Sequence, residues 1–237
     1  MRSSPAAVLF DMDGTLVQTE EYWGEAMFEL AASLGGRMSE EARAATVGTS
    51  MRRSMEVLHA DLGVVRTEGQ LQADARWVED RTGELMSRGI AWRPGARELL
   101  EGVRAAGIAT ALVTTTPRRL ADIVLGSIAA DLGGDPFDVT VCGDEVPARK
   151  PDPAPYLQAA AQLGVDASSC VVVEDSLVGV TSGLAAGMAV LGVPALQPVP
   201  PAPGLTLRDT LSGVGVDDLV PVLAARTAGD RVPLIRR

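Results

Sequence analysis

The sequence predicts an α/β fold, a doubly wound parallel sheet into which an α-helical domain is inserted. Short apolar runs at residues 8–10, 108–113 and 170–173 are typical of strands that are buried on both faces of a parallel sheet. Apolar residues recur at helical spacing between the last two of these runs, which gives the strand–helix alternation of such sheets. Residues 17–90 break that alternation because they show helical spacing alone. They therefore predict a separate helical domain within the chain.

The composition is that of a globular protein with an excess of acidic residues. Hydrophobic residues make up 46% of the 237 residues and charged residues 22%, and the formal net charge is −10. Such a chain is long enough for one large α/β domain or for a core with a small insert. The negative charge argues against nucleic-acid binding, which needs a basic surface, and no segment is long and apolar enough to span a bilayer. Because the start shows no signal-peptide pattern, we expect a cytoplasmic protein. We also expect a monomer or a weak homodimer.

The few cysteines and the single histidine limit the possible chemistry. Cys142 and Cys170 both lie in apolar runs, so we expect two buried core residues rather than a disulfide. His59 is the only histidine, which excludes a histidine-rich metal site. Its position in a helical stretch predicts a solvent-exposed side chain.

Two carboxylates follow the first predicted strand at a spacing of two residues. Asp11 and Asp13 come directly after the apolar run, and Gly14 allows a sharp turn behind them. On a strand this spacing would place both carboxylates on the same side, at the edge where open α/β sheets bind their ligands. Because neighbouring carboxylates repel each other unless a cation or proton lies between them, the pattern indicates a divalent metal site. An acidic turn without a metal is the simpler alternative.

The inserted stretch predicts three or four helices. Gly35 and Gly63 are suitable helix ends. Apolar residues recur at helical spacing in three stretches: Trp23, Met27, Leu30 and Leu34; Met51, Met55, Leu58 and Leu62; and Leu71, Ala75, Val78 and Leu85. We therefore predict a core domain of residues 1–16 and 91–237 and a helical cap of residues 17–90. Helices that pack on the sheet instead are the alternative.

After the insert the strand–helix alternation resumes. Residues 96–106 predict a helix, and residues 108–113 predict a strand that ends at Thr114. A hydroxyl at the end of a buried strand, next to a helix start, suits phosphate binding by hydroxyl and backbone N–H groups, although a helix cap explains Thr114 equally well. Arg118 follows in the next helix, where it could reach an anion or simply face water.

Two further predicted strands end in charged residues. The strand at residues 137–142 leads to Lys150, which precedes a Pro-Asp-Pro segment that fixes an extended backbone before the next helix. The strand at residues 170–173 ends in Glu174 and Asp175, two acids that are costly after a buried run unless a positive group lies nearby. The rest of the chain predicts a helix at residues 177–186 and a fifth strand at residues 189–193. A proline-rich surface loop at residues 194–203 and a short strand with a helix at residues 214–223 follow.

Taken together, these motifs resemble those of the haloacid dehalogenase (HAD) superfamily, and they occur in the family's order. The resemblance is to its β-phosphoglucomutase and phosphoglycolate phosphatase-like subfamily, which has a Rossmann-like core and a helical cap between the first and second motifs. It covers nearly the whole chain. It rests on the segment Asp11-Met12-Asp13-Gly14-Thr15-Leu16, on Thr114, on Lys150 with the prolines behind it, and on Glu174-Asp175.

The resemblance implies a role for each of these residues. Asp11 would be the nucleophile that forms an aspartyl-phosphate, and Asp13 would be the acid and base that serves the leaving group and water. Lys150 and Thr114 would stabilise charge on the phosphoryl oxygens. The implied metal ligands are Asp11, Asp13 through its backbone carbonyl, Asp175 and, less directly, Glu174. Because these ligands are hard oxygen atoms, we expect Mg²⁺ rather than zinc.

The predicted function is that of a Mg²⁺-dependent phosphatase acting on a small phosphate ester, with a sugar or polyol phosphate as the expected substrate. The expected substrate-binding residues are Tyr22 and Trp23 from the cap and Thr115, Thr116 and Arg118 from the core. A haloacid dehalogenase is disfavoured because that branch lacks the second carboxylate. A catalytically silent binding protein is disfavoured because none of the catalytic residues is missing.

A sugar-phosphate mutase of the β-phosphoglucomutase type remains the alternative. Those enzymes carry a histidine a few residues past the first motif, where this chain has Trp23, which cannot exchange a proton. They also carry an arginine for the distal phosphate, and Arg52 falls one place late for that role. Thr116 and Arg118 could still hold a distal anion. We therefore predict net phosphate release.

Overall fold

The structure, a computed structural model, describes residues 4–47 and 49–228. These residues form two compact units. The core unit consists of the residues up to 18 and from 92 onward, and the helical unit consists of Thr19–Ala91. Gly48, four residues before Arg52, lies outside the described residues.

The core unit contains a six-stranded sheet in which all neighbouring strands are parallel. The strands are β1 (Ala7–Phe10), β2 (Ala109–Val113), β3 (Val139–Val141), β4 (Cys170–Glu174), β5 (Ala189–Gly192) and β6 (Leu205–Leu207). Their order is β3-β2-β1-β4-β5-β6. Strand β1 is therefore central, between β2 and β4, which confirms the predicted doubly wound sheet. Because parallel strands share one carboxyl edge, the residues that follow β1, β2 and β4 lie close together.

Burial on both faces explains why the central strands consist mainly of apolar residues. All four residues of β1 are completely buried, and Phe10 pairs in register with Leu112 of β2 and with Val173 of β4. Aliphatic and β-branched side chains suit this pleated, two-sided packing. The next residues along the two strands, Asp11 and Glu174, are thereby brought to neighbouring positions at the edge of the sheet.

The described residues of the helical unit form four helices with a hydrophobic core of their own. The helices are α1 (Glu20–Ser33), α2 (Glu40–Thr46), α3 (Met51–Leu62) and α4 (Glu68–Met86). Their buried side chains form one cluster that includes Met27, Leu30, Met55, Leu58 and Val78. Helix α4 begins with a capping box, in which the Thr67 side chain accepts from Gln70 N and the Gln70 side chain accepts from Thr67 N.

His59 is buried, so the prediction of an exposed side chain is wrong. It lies one turn after Met55 on the buried stripe of α3. Its Nε2 is 3.0 Å from Asp74 Oδ2 in α4, and Arg66 Nε is 2.9 Å from the same oxygen. The Asp74 carboxylate thus connects α3, α4 and the segment between them. A buried imidazole needs such a polar neighbour.

The described residues of the core unit also form five α-helices. They are α5 (Ala96–Ala105), α6 (Arg118–Leu132), α7 (Ala154–Leu163), α8 (Leu177–Ala185) and α9 (Val216–Ala228). Helix α5 buries Leu99, Leu100 and Val103 along one stripe, as amphipathic helices on a sheet do. Within the described residues, the structure has no helix of the length and apolarity needed to cross a membrane.

The last part of the sheet differs from the prediction. The sixth strand lies at Leu205–Leu207, whereas the sequence predicts the last strand within residues 214–223, where the structure has a turn and α9. Strand β6 pairs with β5 at the edge of the sheet and stays partly exposed, so it needs no apolar run that would mark it in the sequence. The proline-rich segment 194–203 is a loop, but its Val199 is buried in the core.

The helical unit is inserted at a point where two segments of the core unit pair. Val17 and Trp92 form an isolated antiparallel bridge, and Arg93 N donates a hydrogen bond to Leu16 O at 2.8 Å. The chain therefore leaves the core unit and returns to it along adjacent segments.

Both cysteines are buried and unpaired, as predicted. Burial raises the pKa of the Cys142 thiol to about 12 and that of the Cys170 thiol to about 11. Because the thiolate is the reactive form, neither residue should react with a chromogenic disulfide reagent at pH 8 in the folded protein. Two thiols per chain should react once the protein is unfolded in guanidinium chloride. Rapid labelling of either thiol in the native protein would contradict this expectation.

Candidate active site

Asp11 follows β1 directly and is anchored through both carboxylate oxygens. Lys150 Nζ donates to Oδ1 at 2.7 Å, and Thr15 Oγ1 donates to Oδ2 at 2.9 Å. The backbone N–H of Asp11 donates to Val173 O of β4 at 3.0 Å, so the main chain is fixed as well. The side chain is buried, with a residue exposure of 7%. A carboxylate held in this way has a single orientation, which suits a nucleophile.

The turn behind Asp11 depends on Gly14. Gly14 has a φ of 80°, a conformation that favours glycine. A Cβ atom at this position would overlap the Asp175 carboxylate. Thr15, the next residue, donates to Asp175 Oδ1 at 3.3 Å as well as to Asp11. The glycine therefore lets the first motif lie against the fourth.

Asp13 has different partners from Asp11. Its Oδ2 accepts hydrogen bonds from Thr116 Oγ1 at 2.7 Å and from Thr114 Oγ1 at 3.3 Å. Both threonines are buried and follow β2. Strand β1 ends at Phe10, so the two carboxylates are not placed by strand alternation as the sequence suggested. The first motif is a turn that directs Asp11 toward Lys150 and Asp13 toward the threonines.

Lys150 is buried and uses all three of its N–H donors. Nζ donates to Asp11 Oδ1 at 2.7 Å, to Glu174 Oε1 at 2.6 Å and to Val113 O at 2.8 Å. Burial acts to lower the pKa of Lys150, but the Asp11 and Glu174 carboxylates outweigh it and hold the pKa above its ordinary value. Lys150 is therefore a fixed positive charge in the site.

Glu174 is a completely buried carboxylate with a full set of donors. Its Oε1 accepts from Lys150 Nζ at 2.6 Å and from Tyr156 Oη at 2.9 Å. Its Oε2 accepts from Asp175 N at 3.1 Å and from Ser176 N and Oγ at 3.2 and 3.1 Å. Buried charges are tolerated when they are paired and hydrogen-bonded in this way.

Three carboxylates at this edge of the sheet can together hold a metal ion. Asp11, Glu174 and Asp175 each offer an oxygen, and these atoms lie within 4.8 Å of one another. Burial and the Glu174 charge raise the pKa of Asp11 to about 7, although Lys150 opposes them. The single positive charge of Lys150 therefore does not neutralise the three carboxylates, whereas a divalent cation bound beside it would. The donors are all hard oxygen atoms, which fits Mg²⁺.

Sequence reasoning missed two residues of the site. Thr15 bridges Asp11 and Asp175, and Tyr156 reaches Glu174 from α7. Tyr156 gives a usable signal, because a tyrosine on the buried face of a helix needs a partner for its hydroxyl. That helix begins shortly after Lys150, which points to a partner near the lysine.

The expected substrate-binding residues are not all brought to this cluster. The Arg118 guanidinium binds Glu145 through Nε and Nη2 at 2.7 and 2.8 Å and also donates to Thr140 Oγ1 at 2.9 Å. Thr115 is exposed, whereas Thr116 is buried beside Asp13.

Tyr22 and Trp23 belong to the helical unit. Both are partly buried against its hydrophobic core, and Tyr22 Oη donates to Gly89 O at 2.6 Å. Their contacts within the unit therefore account for much of their burial, and a role toward a substrate remains a proposal.

The parallel sheet, with an acidic cluster beyond its central strand, is a Rossmann-like core. Residues 5–187 match the model of a protein family described as haloacid dehalogenase-like hydrolase. The chain belongs to this family, which confirms the resemblance of its motifs.

Named relatives narrow the enzyme class. The chain is 35% identical over 182 residues to a phosphorylated carbohydrates phosphatase of Thermotoga maritima. This match covers 77% of this chain and 82% of the relative. It is 34% identical over 197 residues to hexitol phosphatase B of Escherichia coli K12, with 80% and 83% covered. These relatives confirm the predicted enzyme class, phosphoric monoester hydrolase.

A solved structure with the same architecture is that of CbbY from Rhodobacter sphaeroides in complex with phosphate. It matches with a TM-score of 0.77 and 29% identity, and the match covers 91% of this chain and 99% of that chain. A mutant of the same protein, crystallised with xylulose 1,5-bisphosphate, matches with a TM-score of 0.76 and 28% identity, again over 91% of this chain and 99% of that chain.

Proposed function

We propose that this protein is a Mg²⁺-dependent phosphatase that hydrolyses a small phosphorylated carbohydrate through an aspartyl-phosphate on Asp11. The observation that carries this proposal is the environment of Asp11. A buried carboxylate is held by Lys150 at 2.7 Å and by Thr15 at 2.9 Å, with two further carboxylates within reach of a shared cation.

In the first half of the reaction, a carboxylate oxygen of Asp11 attacks the phosphorus atom and the bond to the sugar oxygen breaks. Asp13 gives its proton to that leaving oxygen. The positive charge of Lys150 stabilises the negative charge on the transferring group, which is the main task in phosphoryl transfer. Thr114 would donate to a phosphoryl oxygen once its hydroxyl turns from Asp13.

In the second half, Asp13 accepts a proton from water, and the water oxygen attacks the phosphorus of the aspartyl-phosphate. The bond between phosphorus and Asp11 breaks, which releases phosphate and restores the carboxylate. Asp11 and Asp175 would hold the metal ion through carboxylate oxygens, together with the backbone carbonyl of Asp13 and, less directly, Glu174. When bound, Mg²⁺ supplies a positive charge that polarises the phosphoryl group.

The substrate class is inferred from the relatives. A phosphorylated carbohydrates phosphatase, a hexitol phosphatase and a protein crystallised with a sugar bisphosphate all support a sugar or polyol phosphate. For contacts to the sugar we propose Thr115, Thr116 and Arg118 of the core unit and Tyr22 and Trp23 of the helical unit. Arg118 could reach an anion only if it exchanged part of its contact with Glu145.

The test is a screen of hexose, pentose and polyol phosphates with Mg²⁺, in which released phosphate is measured. At least one of these esters should be hydrolysed, and excess chelator should abolish the reaction until Mg²⁺ is restored. The mutase alternative is tested in parallel with β-glucose 1-phosphate and a trace of the 1,6-bisphosphate. Rapid formation of glucose 6-phosphate without free phosphate would overturn the proposal in favour of a mutase.

A further inference from the structure

Tyr156 is the largest side chain that is completely buried in the described residues. It lies in the first turn of α7, six residues after Lys150, and it belongs to the core cluster on one face of the sheet. A residue that served only to fill the core here would need no hydroxyl. The phenol oxygen instead donates to Glu174 Oε1 at 2.9 Å.

The aromatic ring of Tyr156 also faces Lys150. Nζ of the lysine lies 4.9 Å from the ring centroid, within the range of a cation–π interaction. Tyr156 therefore touches both members of the Lys150–Glu174 ion pair, the carboxylate with its hydroxyl and the ammonium with its ring. It makes neither contact with Asp11.

Two carboxylates compete for the single ammonium group of the site. Lys150 Nζ lies 2.6 Å from Glu174 Oε1 and 2.7 Å from Asp11 Oδ1. Glu174 Oε1 shares its negative charge between two donors, Lys150 Nζ and Tyr156 Oη, and a smaller effective charge attracts the ammonium less strongly. The Tyr156 hydroxyl therefore weakens the hold of Glu174 on Lys150.

We propose that Tyr156 is a positioning residue, which acts through Glu174 to keep Lys150 directed at Asp11 during phosphoryl transfer. This inference rests on the proposed function, because it concerns the orientation of the lysine toward the nucleophile. Tyr156 should therefore affect the rate of the chemical step but not the binding of substrate.

The first experiment compares Tyr156→Phe with the wild type. Phenylalanine keeps the ring and its volume but removes the hydroxyl. We expect kcat to fall about tenfold, the effect of one charge-assisted hydrogen bond on a barrier, while KM changes by less than about twofold. The matched control is Thr110→Val, which removes a buried hydroxyl bonded to Pro136 O at 2.7 Å near the start of β2. Its thermal midpoint should fall with kcat unchanged.

The second experiment tests whether Tyr156 acts through Glu174. In a Glu174→Gln background, Tyr156→Phe should change kcat by less than about twofold, because coupled residues are not additive. Beryllium fluoride with Mg²⁺, an analogue of a phosphoryl group on a carboxylate, provides a readout without turnover. Tyr156→Phe should bind it about tenfold more weakly than the wild type does.

The outcomes separate this inference from the function on which it rests. An active wild type with a Tyr156→Phe variant of equal kcat, or a loss confined to KM, would overturn the role of Tyr156 alone. A full tenfold loss in the Glu174→Gln background would also overturn it. A wild type that neither hydrolyses esters nor binds beryllium fluoride would overturn the proposed function and this inference with it.

Discussion

Asp11→Asn is expected to abolish turnover, with kcat reduced by roughly 10⁴-fold or more, as for the loss of other catalytic nucleophiles. An amide cannot form the aspartyl-phosphate, and the substitution also removes a metal-ligating oxygen and the charge that Lys150 binds. The thermal midpoint should not fall, because the substitution removes one of three negative charges that repel each other. Phosphate release and the thermal midpoint in metal-free buffer, measured on the same preparation, check both expectations.

The matched control is Asp138→Asn, the same chemical change at the opposite edge of the sheet. Asp138 Oδ2 accepts from Thr110 N at 2.8 Å, a bond that an asparagine oxygen can also accept. Its kcat should equal that of the wild type. An Asp11→Asn variant that hydrolysed esters at a comparable rate would show that the mechanism through Asp11 is wrong.

Asp13→Asn is expected to lower kcat by about 10²–10⁴-fold, the usual range for general acid–base catalysis. The metal requirement should change little, because the Asp13 carboxylate binds Thr116 and Thr114 and is not part of the three-carboxylate cluster. The Mg²⁺ concentration for half-maximal activity, determined alongside kcat, separates the two effects.

The leaving group provides an internal control for this second substitution. 4-Nitrophenolate is a weak base and leaves without being protonated, so the loss of the acid should matter less for 4-nitrophenyl phosphate than for a sugar phosphate. Equal losses on both substrates would show that Asp13 acts only in the step that both share, the attack of water, and that it does not protonate the leaving group.

Local pattern was enough to predict the central strands of the sheet. Strands β1, β2 and β4 are apolar because both faces are covered, and this leaves a continuous signal in the sequence. Strand β6 is an edge strand with one partner and partial exposure, so it leaves no such signal. His59 could have been placed correctly, since it follows Met55 by one helical turn on the buried stripe.

Only the residues that belong to the recognised motifs could be placed in the site from the sequence. Asp11 and Glu174 meet because β1 and β4 are neighbours that end at the same edge of the sheet, and the loop between β3 and α7 brings Lys150 to that edge. The role of Tyr156 could not be predicted in this way, because the position of its hydroxyl depends on how α7 packs against β1, β2 and β3. Arg118 could not be assigned either, since its partner Glu145 lies in a loop after the next strand.

The bridge between Val17 and Trp92 gives the chain a modular design. In topological terms these two residues close a hairpin, and the whole helical unit takes the place of the hairpin's loop. The free-energy cost of closing a loop rises only slowly with its length. A segment anchored in this way can be lengthened, shortened or exchanged during evolution without shifting the register of the sheet or the position of Asp11. The helical unit and the catalytic residues of the core unit can therefore change independently in proteins built to this plan.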